Sequence, residues 1–341
     1  MAEGDDITDI VEQFMAVTGV EDTVAMCYLQ KSGWNLQAAV NNFCDSSDCM
    51  QGNKNNPIVV IDGEILCDEG PSMETEDMNP NLTVLSWNVD GLDGRNILER
   101  TRKVCHTINS RKPDIVFLQE VIKDTLSIYQ SKCPGYTCKY GPTHAYFNII
   151  LLKNSSVQLT NELQCTHFQS SKMGRHLLCQ SVLFKNKTEV ILMTSHLEST
   201  AKCKPERIRQ LQQVLASISD QPEQATVVFG GDTNLRDTEV MSIGGLPNGM
   251  LDAWDFCGRP KDAEFTWDTK FNDNLDWPYP KASRIRFDRF FIRPGEGENK
   301  LNPSCFELVG LERLPGCRRF ASDHWGIWCE FTQAAHGASY V

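Results

Sequence analysis

The spacing of apolar residues divides the chain into two parts. From Leu82 onward, short apolar runs rich in β-branched and aromatic residues predict strands, and two stretches with helical periodicity predict helices. The predicted strands are residues 82–87, 113–121, 145–152, 157–168, 177–184, 189–195, 226–229, 284–293 and 326–331, and the predicted helices are residues 95–111 and 205–218. This mixture predicts an α/β fold, specifically a four-layer α/β sandwich of two packed mixed sheets flanked by helices.

The amino-terminal part has helical spacing instead. Its apolar residues form three stripes separated by Gly19 and Gly33, and Asn35 is a candidate N-cap for the third helix. The stripes consist of Ile7, Ile10, Val11, Phe14 and Met15, then Val24, Cys27, Tyr28 and Leu29, then Leu36, Ala39, Val40 and Phe43. Residues 1–46 are therefore predicted to form a small three-helix bundle.

Between these parts, residues 47–80 are polar and acidic and predict a flexible linker. Its one apolar stretch, IVVIDGEIL at residues 58–66, suits either a hairpin around Asp62-Gly63 or a strip that binds a partner. The predicted organisation is therefore a bundle (1–46), a linker (47–80), a large α/β domain (81–334) and a tail (335–341).

The net charge of −12 is concentrated at the amino terminus. Residues 1–80 carry 16 acidic and 2 basic residues, whereas residues 81–341 carry 29 acidic and 31 basic residues. The larger domain can therefore present a basic groove to phosphates. Neither a run of about 18 apolar residues nor a signal core occurs, so we expect no membrane span and no secretion. The 14 scattered cysteines then predict reduced thiols in an intracellular compartment.

Five apolar runs deliver polar side chains at their ends. Asp232 and Asn234 follow a strand that Gly230-Gly231 is predicted to end, and in an extended backbone residues two apart face the same side. A carboxylate that accepts a proton from water and an amide that holds an anionic oxygen suit hydrolysis of a phosphate ester. The alternative is an Asx-turn. The polar residues delivered in this way are Asn88, Asp90, Glu120, His196, Asp232, Asn234, Asp323 and His324.

Glu120 ends a nearly continuous apolar run, where a carboxylate is costly unless it is paired or binds a cation. Mg²⁺ accepts one or two carboxylates together with waters, so Glu120 is the candidate metal ligand, with Mn²⁺ as a possible substitute. Asp90 either supports this site through water or forms an Asx-turn.

A second candidate surface lies in TWDTKFNDNLDWPYPKASRIR (266–286). Leu275, Trp277 and Tyr279 alternate with polar residues and proline, so in an extended segment they share one face. Two prolines in this segment favour an exposed edge over a central strand. The three side chains either dock on the protein's own body or form an apolar wall for an unstacked base.

In this order, the five segments resemble the exonuclease–endonuclease–phosphatase superfamily of Mg²⁺-dependent phosphodiesterases, over roughly residues 80–332. SWNVDGLD, TSHLEST, GDTNLRD, FTWDT and RFDR are most similar to its 5′-tyrosyl-DNA phosphodiesterases, which implies hydrolysis of the bond between a topoisomerase-derived tyrosine or peptide and a DNA end. The implied catalytic residues are Asn88, Glu120, Asp232, Asn234 and His324, the implied DNA contacts are His196, Arg236, Ser199, Arg175, Leu275 and Trp277, and the implied supporting carboxylates are Asp323, Asp288 and Asp90.

The amino-terminal bundle resembles ubiquitin-associated domains in TGV and SGWNLQAAVNNF. That resemblance implies weak ubiquitin binding through Thr18-Gly19-Val20 and, less directly, Val40 and Phe43, although Phe43 suits the bundle core equally well. Together the resemblances imply a monomeric nuclear enzyme with a cytoplasmic pool. The alternatives are an abasic-site endonuclease of the same superfamily and a non-catalytic ubiquitin-binding scaffold.

Overall fold

The computed structural model describes residues 80–333 throughout. It also describes strands β1 (Val59–Ile61) and β2 (Glu64–Leu66) and twelve positions between residues 10 and 42. The chain divides into two compact units, Met1–Asp77 and Met78–Val341. Within the described residues, no helix has both the length and the apolar character that crossing a bilayer requires.

In the amino-terminal unit, ten of the twelve described positions are helical, and they fall in three groups of the sequence. One cluster buries Val11, Phe14, Ala25, Leu29 and Ala39 together, and all of these except Ala25 belong to the predicted stripes. The residues assigned to ubiquitin binding lie outside the described positions, so that assignment stays a prediction.

Strands β1 and β2 pair antiparallel, with Ile61 opposite Glu64. This pairing agrees with the hairpin alternative for the apolar stretch at residues 58–66. The remaining linker residues and the tail at 335–341 lie outside the described residues.

Two mixed sheets form the larger unit. The first has strand order β16-β17-β3-β4-β6-β5, and the second has the order β12-β15-β11-β10-β9-β7 with β8 added on β9. Only β3–β4 and β10–β11 pair in parallel among these strands. The strands are β3 Leu82–Asn88, β4 Ile115–Val121, β5 Tyr136–Tyr140, β6 Phe147–Lys153, β7 Val157–Leu159, β8 Gln164–His167, β9 His176–Phe184, β10 Thr188–Ser195, β11 Thr226–Asp232, β12 Leu251–Asp252, β13 Trp267–Asp268, β14 Arg284–Ile285, β15 Asp288–Arg293, β16 Leu301–Val309 and β17 Gly326–Gln333.

Helices cover the outer faces of both sheets. The first sheet packs on α1 and α2 through residues that include Trp87, Val104 and Tyr129, and the second packs on α3 through residues that include Val214 and Phe229. A third apolar cluster, drawn from both sheets, lies between them. The helices are α1 Ile97–Arg111, α2 Lys123–Lys132, α3 Lys204–Ser219, α4 Asp237–Ser242 and α5 Ala253–Phe256. The prediction of two mixed sheets with helices is thereby confirmed.

Two predicted strands differ from the structure, and several elements, among them α2, β5 and β16, were not predicted. Residues 157–168 form two short strands, β7 and β8, and residues 284–293 divide into β14 and β15, which belong to different sheets. Strand β16 was not predicted because it contains Pro303 and many polar residues. It lies at the edge of its sheet, where the pairing register shifts between Pro303 and Cys305, and edge positions and bulges tolerate proline.

Gly230 and Gly231 do not end β11, which runs through to Asp232. The glycines are required for close packing instead. A Cβ on Gly231 would lie 2.0 Å from the carbonyl oxygen of Ser195 on the neighbouring strand, and a Cβ on Gly230 would lie 2.5 Å from the Phe290 ring. The predicted tight turn is therefore wrong, and close contact between strands explains both glycines.

We expect Gly231→Ala to destabilise the protein by about 3 kcal/mol, because its methyl group can be accommodated only by moving backbone. Gly135→Ala is the control, since a Cβ at Gly135 meets no other atom within 4 Å. Urea unfolding of both variants measures the difference. Equal stabilities would show that β11 can move away from β10 at little cost.

Candidate active site

The predicted catalytic side chains lie together at the ends of strands from both sheets. Asn88 ends β3, Glu120 lies near the end of β4, and Asp232 ends β11. The Nδ2 group of Asn88 donates to Glu120 Oε1 at 3.1 Å and to Asp232 Oδ2 at 2.9 Å. One amide therefore connects a carboxylate of the first sheet to a carboxylate of the second. With both N–H bonds used in this way, Asn88 holds the two carboxylates in position.

The backbone around Glu120 is held in an unusual conformation. Glu120 has a φ of 60°, in the left-handed region, where its β4 register with β6 shifts. Gly91 packs so closely that a Cβ on it would lie 1.9 Å from the Glu120 carbonyl oxygen. In this arrangement the Glu120 side chain lies within hydrogen-bonding distance of Asn88.

His324 is oriented by Asp288. Its Nδ1 lies 2.8 Å from Asp288 Oδ2, which also accepts a hydrogen bond from the Thr266 hydroxyl at 2.6 Å. Its Nε2 lies 3.8 Å from Asp232 Oδ2. The adjacent Asp323 accepts a hydrogen bond from Trp267 Nε1 at 3.0 Å instead. The structure therefore places the Asp288 carboxylate against His324, in agreement with a supporting role for it.

The acidic groups of the site repel one another in a buried position. Burial and the negative charge of Asp323 raise the pKa of Glu120 to about 7 and that of Asp90 to about 8. Burial also raises the pKa of Asp232 to about 6, although the nearby His324 opposes this. A cation placed among these groups would relieve the repulsion.

The two histidines have opposite charge preferences. Burial, with Arg175 and His324 nearby, lowers the pKa of His196 well below its usual range. Burial lowers the pKa of His324 too, but Asp288, Asp323 and Asp232 together raise it well above its usual range. His196 is therefore neutral, with Nε2 3.2 Å from Asp232 Oδ2, whereas His324 carries a positive charge that suits a phosphate.

One group of residues and one single carboxylate are candidate sites for a metal ion. Asp232, Asp288 and His324 are buried with ligand atoms within 4.8 Å of one another, so this group could hold a metal. Its Asp288 and His324 atoms, however, already hydrogen-bond each other. Glu120 lies outside this group. Its carboxylate accepts a hydrogen bond from Asn88 Nδ2 and lies 3.8 Å from His196 Nδ1. A single carboxylate completed by waters suits Mg²⁺ at Glu120, whereas a histidine-containing set suits softer ions.

Asn234 does not share an extended face with Asp232. Its φ is 53°, and its N–H donates to Asp232 Oδ1 at 3.0 Å, which is the Asx-turn that the sequence left as the alternative. The turn nevertheless keeps Asn234 beside the site, with Nδ2 3.4 Å from the Leu197 carbonyl oxygen. The same-face prediction is therefore wrong about the backbone. Arg236 lies just beyond, with its guanidinium 5.3 Å from the Phe287 ring centroid.

Arg175 and Ser199 lie next to each other. Arg175 Nη2 donates to Ser199 Oγ at 3.3 Å, and its guanidinium lies 5.1 Å from the ring centroid of Tyr146. The Tyr146 ring in turn lies 6.2 Å from the His196 ring. Tyr146 had no signal in the sequence, because it occurs in a strand-like apolar run that gave no reason to single it out.

The segment with Leu275 and Trp277 is not extended but follows an irregular path between β13 and β14. Leu275 stays 39% exposed, whereas Trp277 packs between Trp267 and Tyr279 at ring distances of 5.3 and 5.1 Å. Trp267 continues this contact to Phe287 at 5.6 Å. Trp277 thus docks partly on the protein's own body, as one alternative held, and Leu275 remains available to a ligand.

Arg100 supports the site in a way that its position in α1 did not predict. The side chain is fully buried. It donates hydrogen bonds to carbonyl oxygens of residues 89–95, among them that of Asp90 at 2.9 Å, and to the carbonyl oxygen of Ala321. Asp90 itself has a φ of 49°, and its N–H donates to Asn88 Oδ1 at 2.9 Å. Arg100 therefore fixes the loop that carries Asp90.

Comparison with known proteins shows which family the chain belongs to. The model for the endonuclease/exonuclease/phosphatase family matches residues 85–324, and a UBA-like domain matches residues 8–48. Human tyrosyl-DNA phosphodiesterase 2 is 38% identical over 331 residues, which cover 93% of this chain and 90% of that protein. Its Danio rerio counterpart is 35% identical over 371 residues, which cover 97% and 99%.

Two solved structures are similar as well. The crystal structure of D. rerio tyrosyl-DNA phosphodiesterase 2 complexed with single-strand DNA product is 42% identical, with a TM-score of 0.71 over 74% of this chain and 99% of that chain. The Caenorhabditis elegans structure is 30% identical, with a TM-score of 0.67 over 96% and 94%. The chain therefore belongs to the endonuclease/exonuclease/phosphatase family, carries an amino-terminal UBA-like domain, and is similar along most of its length to tyrosyl-DNA phosphodiesterase 2.

Proposed function

We propose that this protein is a Mg²⁺-dependent phosphodiesterase that hydrolyses the 5′-phosphotyrosyl bond between a topoisomerase-derived tyrosine or peptide and a DNA end. The observation that carries the proposal is the Asn88 amide, which spans Glu120 on one sheet and Asp232 on the other. Similarity to tyrosyl-DNA phosphodiesterase 2, and the single-strand DNA product in the D. rerio structure, support the choice of substrate.

Glu120 is the proposed ligand of Mg²⁺, which when bound neutralises charge on the phosphate and on the departing oxygen. Asp232 accepts the proton of the attacking water, and its pKa of about 6 suits a base that works near neutral pH. Asp288 holds His324 so that its Nε2 faces the phosphate, while Asn234 and His196 border the same space.

The leaving group needs little further help. A tyrosine phenol has a pKa of about 10, well below that of an ordinary alcohol, so the phenolate departs without a dedicated general acid. His324 is protonated and the pKa values of Asp90 and Glu120 are raised, so acidic groups are present in the site, but a phenolate does not depend on them to depart.

The direct test is turnover of a 5′-phosphotyrosyl oligonucleotide with and without Mg²⁺, beside an abasic duplex as the competing substrate. We expect Mg²⁺-dependent release of a 5′-phosphate from the first and little cleavage of the second. Preferential cleavage of the abasic duplex would assign the site to the other activity, and cleavage of neither would favour the non-catalytic scaffold.

The DNA strand is proposed to follow Arg236 and the aromatic contacts beyond it, with Leu275 and Trp277 as an apolar wall for the first base. We expect Leu275→Ala with Trp277→Ala to weaken oligonucleotide cleavage at least about tenfold, because base stacking on a side chain contributes about 1–3 kcal/mol. A small phosphotyrosyl analogue without a base should be spared.

Leu311→Ala is the matched control for this double variant, since Leu311 is 50% exposed and outside the proposed wall. Melting temperatures of all variants are compared in parallel. Equal losses on both substrates, or a large drop in melting temperature, would show that Leu275 and Trp277 stabilise the fold and do not bind DNA.

The amino-terminal unit is proposed to bind ubiquitin without taking part in catalysis, because every residue placed in the site lies between Asn88 and His324. A protein comprising residues 81–341 should therefore cleave phosphotyrosyl DNA with a kcat/KM close to that of the full chain. Residues 1–50 should bind ubiquitin weakly, with a Kd above about 1 μM for so small an interface. An NMR titration without shifts at millimolar ubiquitin would refute this binding.

A further inference from the structure

A cavity of about 600 Å³ lies beside Glu120, because its lining includes Gly91, which packs against the Glu120 carbonyl oxygen, and none of the roles above uses it. Its walls come from three loops of the first sheet: one follows β3, one follows β4 and one precedes β6. They include Leu92, Gly94, Ile122, Lys123 and Ala145. The cavity adjoins the active site at two points, because Ile122 follows Glu120 by two residues and Ala145 precedes Tyr146. We refer to it as the β3–β4–β6 cleft.

The geometry of the reaction directs the leaving group toward this cleft. In phosphoryl transfer the attacking and leaving oxygens lie roughly in line on opposite sides of the phosphorus. Asp232, the proposed base, belongs to the second sheet, and Glu120 belongs to the first. Water that attacks from the Asp232 side therefore expels the phenolate toward the first sheet. Arg236, on the proposed DNA path, follows β11 of the second sheet, whereas the loops that line the cleft belong to the first sheet.

The chemistry of the cleft suits a peptide better than a nucleic acid. Leu92 is 59% exposed and stands beside Ile122 and Ala145, so these three side chains give the cleft an apolar part. Lys123 and Asp124 offset each other in charge, and no arginine lines the cleft. A phosphate backbone requires a concentration of positive charge, whereas short peptides bind through apolar contacts with a few polar groups.

We infer that the β3–β4–β6 cleft binds the peptide that flanks the departing tyrosine, so that the enzyme recognises its substrate on both sides of the scissile bond. This inference rests on the proposed function. It implies that a peptide-linked DNA end is a better substrate than an end that carries tyrosine alone, because contacts remote from the phosphorus stabilise the transition state as well.

The test compares two 5′-phosphotyrosyl oligonucleotides of the same DNA sequence. One carries tyrosine amide alone, and the other carries the tyrosine at the centre of a five-residue peptide. We expect the full-length protein with Mg²⁺ to show a kcat/KM about tenfold higher for the peptide-linked substrate, the order of discrimination that a few pocket contacts provide.

Gly94→Phe places a large side chain in the cleft. A Cβ at Gly94 meets no other atom within 4 Å, and its backbone lies outside the left-handed region, so the substitution is compatible with folding. We expect it to abolish the preference for the peptide-linked substrate. Gly135→Phe is the matched control, because Gly135 has the same open surroundings and lies outside the cleft, and it should retain the preference.

The results separate the two proposals. Equal kcat/KM for both substrates in the unsubstituted protein, or a preference that survives Gly94→Phe, would overturn the cleft and leave the proposed function intact. Equal losses on both substrates in Gly94→Phe would likewise overturn it, by showing that the position affects the reacting centre. Cleavage of neither substrate by the unsubstituted protein would refute the proposed function and the cleft with it.

Discussion

Asp232→Asn should lower kcat by about 10²- to 10⁴-fold with Mg²⁺ saturating, because the variant can no longer accept a proton from the attacking water. The substituted amide is nearly isosteric, so binding of the oligonucleotide should change little. Single-turnover kinetics on a 5′-phosphotyrosyl oligonucleotide measures the rate, and fluorescence anisotropy measures the binding.

Asp220→Asn provides the control for this substitution, since Asp220 is an exposed aspartate at the end of α3. It should keep the full rate. If Asp232→Asn retained more than about a tenth of kcat, the general base would have to be another group, because base catalysis contributes at least about a hundredfold.

Glu120→Gln should raise the Mg²⁺ concentration for half-maximal activity at least about tenfold, because it removes the proposed metal-binding carboxylate. The effect has a second measure that does not depend on turnover. A cation that binds only the folded protein raises its melting temperature, so Mg²⁺ should stabilise the unsubstituted protein more than Glu120→Gln.

Asp288→Asn decides between the two possible metal positions. If Mg²⁺ binds at Glu120, this variant should lower kcat through the disoriented His324 and leave the Mg²⁺ concentration for half-maximal activity unchanged. If Asp288→Asn weakens Mg²⁺ binding and Glu120→Gln does not, the ion lies instead in the group of Asp232, Asp288 and His324.

Residues at strand ends were predictable from the sequence, because strands bury apolar side chains in recognisable runs and deliver the next polar residue to a sheet edge. This reasoning found Asn88, Glu120 and Asp232, which the structure brings together. It failed for Asn234. Residues two apart face the same side only in an extended backbone, and the backbone of Asn234 is left-handed.

Contacts between distant segments were not predictable in this way. Tyr146 contacts Arg175 across two loops, and Arg100 reaches Ala321 from a helix more than 200 residues earlier. Neither residue has a local pattern that marks it. Likewise, strand β16 depends on its partner β17 for its conformation, since its own sequence contains Pro303 and alternates poorly.

The Asn88 bridge makes the reaction depend on how the two sheets pack. Glu120 and Asp232 are attached to different layers, so the distance between them is set by the apolar residues that fill the space between the sheets. A misplacement of about 1 Å is enough to cost on the order of a hundredfold in rate. Conservative substitutions deep in that space, such as exchanges among valine, leucine and isoleucine, should therefore change the catalytic rate. Their kinetic effects should emerge while the protein is still fully folded.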